Sequence, residues 1–187
     1  MKRRLLAPLL LLAAVLSLAW WVNELSQPDS PPPEAAQNTP DAYADGLRVK
    51  RFDEQGLLIQ DLQSPRMIHF EQVGVTEFTR PVLHQYSAQT PPWTLQAERG
   101  VARHHEEKLF LPGEVTIDRP GDEDIAPYHI RTRDLNLAMP GVHVTTDQSV
   151  TVTSREQRIS GRGLDAWLQE PARLRLLHQV RGHYVFD

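Results

Sequence analysis

Between Val142 and Gly182 the chain alternates apolar with polar residues and breaks the alternation with polar clusters every few positions. Val-His-Val-Thr-Thr-Asp-Gln-Ser-Val-Thr-Val-Thr leads through Arg-Glu-Gln-Arg into Ile-Ser-Gly-Arg-Gly-Leu-Asp-Ala-Trp-Leu. A period of two marks half-buried strands, and the polar clusters mark tight turns. No comparable stretch of the second half carries the period of an amphipathic helix. These residues are constrained to a stack of short antiparallel strands.

The pattern extends back to Gly46. Leu47 to Phe52 and Leu57 to Leu62 flank Asp53-Glu54-Gln55-Gly56, a turn signal that predicts an opening hairpin. Met67 to Phe70 and Val73 to Phe78 are two further strand candidates. Pro81 cannot donate to a central ladder and belongs at an edge or a strand start. Trp93 to Glu98 alternates cleanly, and Val101 to Arg103 is expected to pair with Leu109 to Leu111 across His104-His105-Glu106-Glu107-Lys108. Pro112-Gly113 then turns the chain into Glu114 to Asp118, and the acidic loop Gly121 to Asp124 interrupts the pattern.

A weak internal repeat follows. Val115-Thr-Ile117 and Ile130-Arg-Thr-Arg-Asp-Leu135 recur as Val150-Thr-Val152 and Ile159-Ser-Gly-Arg-Gly-Leu164, with a shorter loop. Such units cannot bury their apolar faces alone and must stack on their neighbours. The predicted fold is all-β: two facing antiparallel sheets in a jellyroll-like open sandwich of about a dozen strands.

Ahead of this domain the chain reads as an address. Met1-Lys2-Arg3-Arg4 precedes the uncharged run Leu5 to Val22, which ends in Trp20-Trp21-Val22. As a helix at ~1.5 Å per residue the run spans roughly 27 Å, close to a hydrocarbon core of about 30 Å. The leading cations hold that end in the cytoplasm, and the tryptophan pair suits the far interface. Residues 1–22 thus read as a membrane anchor, although Ser17-Leu18-Ala19 also has the form of a signal-peptide cleavage site. Residues 23–45 carry Pro28, Pro31, Pro32, Pro33 and Pro40 among polar residues and read as an extended linker. Residues 46–187 form the domain.

With Cys 0, thiol nucleophiles, disulfides and thiolate metal sites are excluded, and a net charge of -4 without a basic stripe argues against a nucleic-acid partner. Gly161-Arg-Gly163-Leu-Asp-Ala166 matches a dinucleotide fingerprint as a string, but strands flank it and no helix follows. His104-His105-Glu106-Glu107 lacks the spacing that sets two metal ligands on one helix face. Asp122-Glu123-Asp124 reads as a solvated loop. No catalytic constellation, metal site or cofactor site is expected.

Glu77-Phe78-Thr79-Arg80-Pro81-Val82-Leu83, the strand Trp93-Thr-Leu-Gln-Ala97, and Leu109 to Val115 with its Gly-x-Val corner resemble the LptC family of lipopolysaccharide export proteins. The order of anchor, linker and one β domain is similar to that family as well. The resemblance implies a single-pass protein of the inner membrane with a periplasmic β-jellyroll. It implies no catalysis, receipt of lipopolysaccharide from the inner-membrane ABC-transporter complex, and transfer to the periplasmic bridge protein LptA.

An interior for acyl chains needs a groove lined by apolar residues, because each buried methylene contributes about 0.8 kcal/mol. The candidates are Leu47, Val49, Ile59, Ile68, Phe70, Phe78, Leu95, Val115, Ile117, Ile130, Val150 and Val152. Phe78 stands first because it lies in the family's matching run. Each is equally an ordinary core residue, so a lined groove and a filled scaffold both remain open. Arg48, Lys50 and Arg51 sit where a headgroup phosphate or a protected edge would use them. Sheet edges accept partner strands, so the first strand and the last, with Val180, His183, Tyr184 and Phe186, are the candidate partner edges. The resemblance assigns the C-terminal edge to the bridge protein and the N-terminal one to the transporter.

Overall fold

The structure, a computed structural model, describes residues 39–103, 108–123, 125–139, 142–155 and 157–183. The anchor at 1–22, the linker up to residue 38, the hairpin tip at 104–107, Asp124, Tyr184 and Phe186 lie outside the described residues. Among the described residues no helix is long and apolar enough to cross a membrane.

Apart from one 3-10 turn at Glu71–Val73, the chain is all-β and antiparallel among the described residues. Its strands are β1 (Ala42–Phe52), β2 (Leu58–Phe70), β3 (Val75–Thr79), β4 (Val82–Gln85), β5 (Trp93–Ala97), β6 (Arg99–Arg103), β7 (Lys108–Arg119), β8 (Tyr128–Ala138), β9 (His143–Ser154), β10 (Gln157–Trp167) and β11 (Arg173–His183). The predicted opening hairpin is present: Asp53 Oδ1 accepts the Gln55 and Leu57 backbone N–H groups at 3.0 and 2.8 Å, and β1 pairs with β2. Met67 to Phe70 is not a separate strand but the second half of β2. The acidic loop turns on itself, with the Ile125 N–H donating to Asp122 Oδ1 at 2.7 Å. Gly161 to Ala166 lies inside β10.

Instead of two separate sheets, the hydrogen bonds run through one 11-stranded sheet in the order β11-β10-β9-β8-β7-β5-β4-β2-β3-β6, with β1 on β2 and β6 also on β7. The pairings β7–β5–β4–β2–β3–β6–β7 therefore close a ring. It closes because β2 and β7 are long and bent, so each holds one short pair on either side of its bend. β2 pairs β4 through Gln60–Gln63 and β3 through Arg66–Phe70, and β7 pairs β6 through Leu109–Phe110 and β5 through Val115–Asp118.

The bends have local causes. Register shifts fall between Leu111 and Glu114 of β7, between Arg131 and Asn136 of β8, and between Arg162 and Leu164 of β10. Gly113 at φ 80 and Gly163 at φ 81 supply the left-handed backbone of a bulge, which kinks a strand without ending its ladder. Asp134 takes the same conformation at φ 50 and accepts the Gly113 N–H with Oδ1 at 2.8 Å, fastening one bend to its neighbour. Gly46, Arg80 and Gln179 continue this row of positive φ values through β1, the β3–β4 break and β11. Pro65, which has no N–H, sits at the bend of β2. The internal repeat maps onto this geometry: Ile117 stands opposite Ile130 as Val152 stands opposite Ile159, and Asp134 and Gly163 are equivalent bends.

Folding along this row brings the strand halves together over one core. Leu109, Leu111, Leu135, Leu137 and Val144 come from one side, and Leu95, Ile117, Ile130 and Val152 from the other.

Candidate functional site: the inner face and its two edges

Strand alternation divides the residues into an inner and an outer face. Leu83, Leu95, Ile117, Ile130 and Val152 stand opposite one another in successive pairs and are buried. Val115 and Val150 share that face, also buried. Phe78 faces inward too: it stands opposite Gly100, whose missing side chain would point at Leu109 and Leu111 within 3.4 Å. Across the middle of the fold the inner side chains fill the interior, and Val115, Ile117, Ile130, Leu135 and Leu164 are 0% exposed.

Toward β1 and β11 the same face opens. Leu62, Phe78, Leu174 and Leu176 pack on the core but remain half-buried. Val49 stands opposite Leu62 and is 49% exposed, while Leu47, two positions away on the same face, is half-buried. At the other end Gly182 stands opposite Ile159, and nearby Val180 is 55% exposed. The interior is thus packed at its centre and uncovered at both ends of the sheet.

Ile59, Ile68 and Phe70 lie on the outer face. Ile59 alternates with Gln60 and Leu62, and Ile68 stands opposite Glu77, in register with the exposed Tyr43. The bend at Pro65 shifts the alternation of β2 by one position, which carries Ile68 and Phe70 outward while Met67, opposite Phe78, turns inward. Period-two reading across an unrecognised bend inverts every residue beyond it.

Among the described residues both sheet ends are backbone edges: β1 pairs only with β2, and β11 only with β10. Val180 and His183 lie on the β11 edge. Arg48 is not free for a headgroup. Its Nε and terminal nitrogen contact Asp61 at 3.0 and 2.5 Å on the outer face, and Asp61 is fully buried. The hydrogen bonds from Arg48 hold the Asp61 carboxyl below its usual range against the opposing effect of burial. A depressed folded pKa contributes stability above the unfolded value of about 3.9 that is lost as pH falls through the folded pKa. Melting curves are therefore expected to separate wild type from Asp61→Asn at pH 7, to start drawing together only below about pH 4, and to converge once pH passes the depressed folded pKa; a gap independent of pH would show that Asp61 acts only through its shape.

One polar group was not legible in the sequence. Where β2, β4, β5, β7 and β8 end, Gln60 Nε2 donates to Gln85 Oε1 at 2.9 Å, and the Arg119 guanidinium lies 4.7 Å from the Trp93 ring centre and 5.0 Å from that of Tyr128. Glu170, in the loop between β10 and β11, reaches over to it, accepting from Thr90 Oγ1 at 2.9 Å and standing 3.7 Å from Arg119. These residues come from five strands and a loop far apart in sequence, so no local pattern announces them. Among the described residues no cluster of three or more His, Asp or Glu is placed to hold a metal ion.

No curated protein matches the chain. Residues 8–185, which take in the whole folded sheet, match the lipopolysaccharide-assembly, LptC-related family. With that match extending over nearly its full length, the chain belongs to the LptC-related family and is a component of lipopolysaccharide transport.

Proposed function

We propose that the chain carries lipopolysaccharide without catalysing any reaction on it. In this reading residues 1–22 anchor it in the inner membrane, the linker that follows gives it reach up to the start of β1 at Ala42, and the sheet stands in the periplasm as a β-jellyroll. The domain takes lipopolysaccharide from the inner-membrane ABC-transporter complex at the β1 edge and passes it to the periplasmic bridge protein LptA at the β11 edge. One observation carries the reading: the inner apolar face is uncovered at the same two ends where the backbone edges are unpaired. A neighbouring jellyroll that adds its strand to either edge extends both the ladder and the apolar face. Acyl chains then move from one inner face to the next without crossing water.

The second reading is a membrane-anchored scaffold that joins envelope proteins and carries no lipid. The filled centre of the core favours it. Equilibrium binding separates the two. The purified full-length chain in detergent is expected to bind lipopolysaccharide saturably, with one lipid per chain. Absence of saturable binding contradicts the carrier and leaves the scaffold.

A further inference from the structure

Arg119 ends β7 on the inner side of the sheet, and only 10% of its side chain is exposed. A guanidinium has five N–H donors, and burial makes each unsatisfied one costly. Arg119 Nε is buried and has no hydrogen-bond partner in the protein, and the same holds for Trp93 Nε1 in the ring stacked against it. The nearby carboxylate does not meet this demand. Glu170 Oε1 accepts from Thr90 Oγ1 at 2.9 Å, its Oε2 accepts from the Ala172 N–H at 3.1 Å, and the approach to Arg119 stays at 3.7 Å. Two buried donors of the cluster, Arg119 Nε and Trp93 Nε1, thus have no acceptor in the protein. A ligand that serves both is an acceptor with several oxygens and negative charge.

The position narrows the ligand further. Trp93 and Tyr128 border the apolar core on one side, and on the other a surface depression of about 230 Å³ lined by Gln85, Tyr86 and Glu170 opens beside the cluster. A group held here has its charge at the rim and its attached chains along the inner face. We propose that Arg119 and Trp93 form a binding site for a phosphate monoester on the headgroup of an acylated lipid, and that Glu170 occupies the site's edge until the phosphate displaces it. Arg119 supplies the charge-assisted hydrogen bonds, the two rings fix the guanidinium plane, and the loop around Glu170 moves as the lipid enters. The inference rests on the lipid-carrying reading above.

The test measures binding of three probes to the full-length chain in detergent: lipopolysaccharide, the same lipid enzymatically stripped of its phosphates, and inorganic phosphate. Wild type is expected to prefer the phosphorylated lipid by about tenfold, the scale of a charge-assisted hydrogen bond. Arg119→Gln removes that preference. Glu170→Gln, on a surface loop and separable from any folding defect of the arginine variant, tightens binding of the phosphorylated lipid alone. Equal wild-type affinity for both lipid forms, or no gain in Glu170→Gln, overturns the site while the carrier reading stands. Inorganic phosphate binding as tightly as the lipid overturns the headgroup assignment in favour of a free-phosphate site. Failure of wild type to bind either lipid overturns the carrier reading and the site with it.

Discussion

A chain that ends at Leu176 will fold and will no longer capture the bridge protein. The cut falls within β11, after the two residues of that strand that pack on the core, Leu174 and Leu176. The fully buried core, from Leu83 of β4 to Leu168 just after β10, lies before the cut and is untouched. What is lost is the pairing of Arg162 with His178, Ser160 with Arg181, Ile159 with Gly182 and Arg158 with His183. Losing those pairs is expected to lower the melting temperature by several degrees, at roughly 2–4 °C per kcal/mol for a domain of this size. The functional loss is larger, because the cut removes the second half of the outgoing edge and, with Val180, the apolar surface that runs up to it. Affinity capture with LptA as bait should fall to background, while circular dichroism and a cooperative melt show the remaining sheet intact. Capture at the wild-type level from a folded truncated chain would place the partner elsewhere.

Both sheet edges carry cations. β1 crosses its bend at Gly46 and carries Arg48, Lys50 and Arg51 on its second half, with Arg48 tied to Asp61. β11 is half apolar near its start, carries Arg173, Arg175 and Arg181, and is exposed toward its end. Cations on both edges resist indiscriminate strand addition, so a partner strand has to match them.

Much of this fold is written in short-range pattern. Alternation at Val115-Thr-Ile117 and Val150-Thr-Val152 identifies inner strands, and Asp53 to Gly56 identifies the first hairpin, because side-chain period and turn chemistry are local. The bends are less legible. Gly113 and Gly163 signal theirs, but Asp134 and Gln179 adopt positive φ without being glycine, held there by their neighbours. The consequence is largest at Pro65, beyond which Ile68 and Phe70 change face and Met67 takes the inner position. Pro65 was the available signal, since a proline inside an otherwise continuous strand pattern marks an edge or a bend. The group formed by Trp93, Arg119, Tyr128 and Glu170 depends on how the sheet closes, and only the fold brings it together.

In the proposed reading the inner face, and not the outer one, carries acyl chains from edge to edge. Site-specific photo-crosslinking in living cells tests it most directly, with the reactive residue placed in turn at inner and outer positions of the same strands. Phe78 and Leu62 sample the inner face near β1, Leu176 samples it at β11, and Ile68 and Phe70 are outer controls within residues of Met67. The side chains compared are all apolar and only partly buried, so burial alone does not separate the two sets. Lipopolysaccharide adducts are expected at Phe78, Leu62 and Leu176 and not at Ile68 or Phe70. Adducts confined to Ile68 and Phe70, or absent from every inner position while the transporter is active, would contradict the claim.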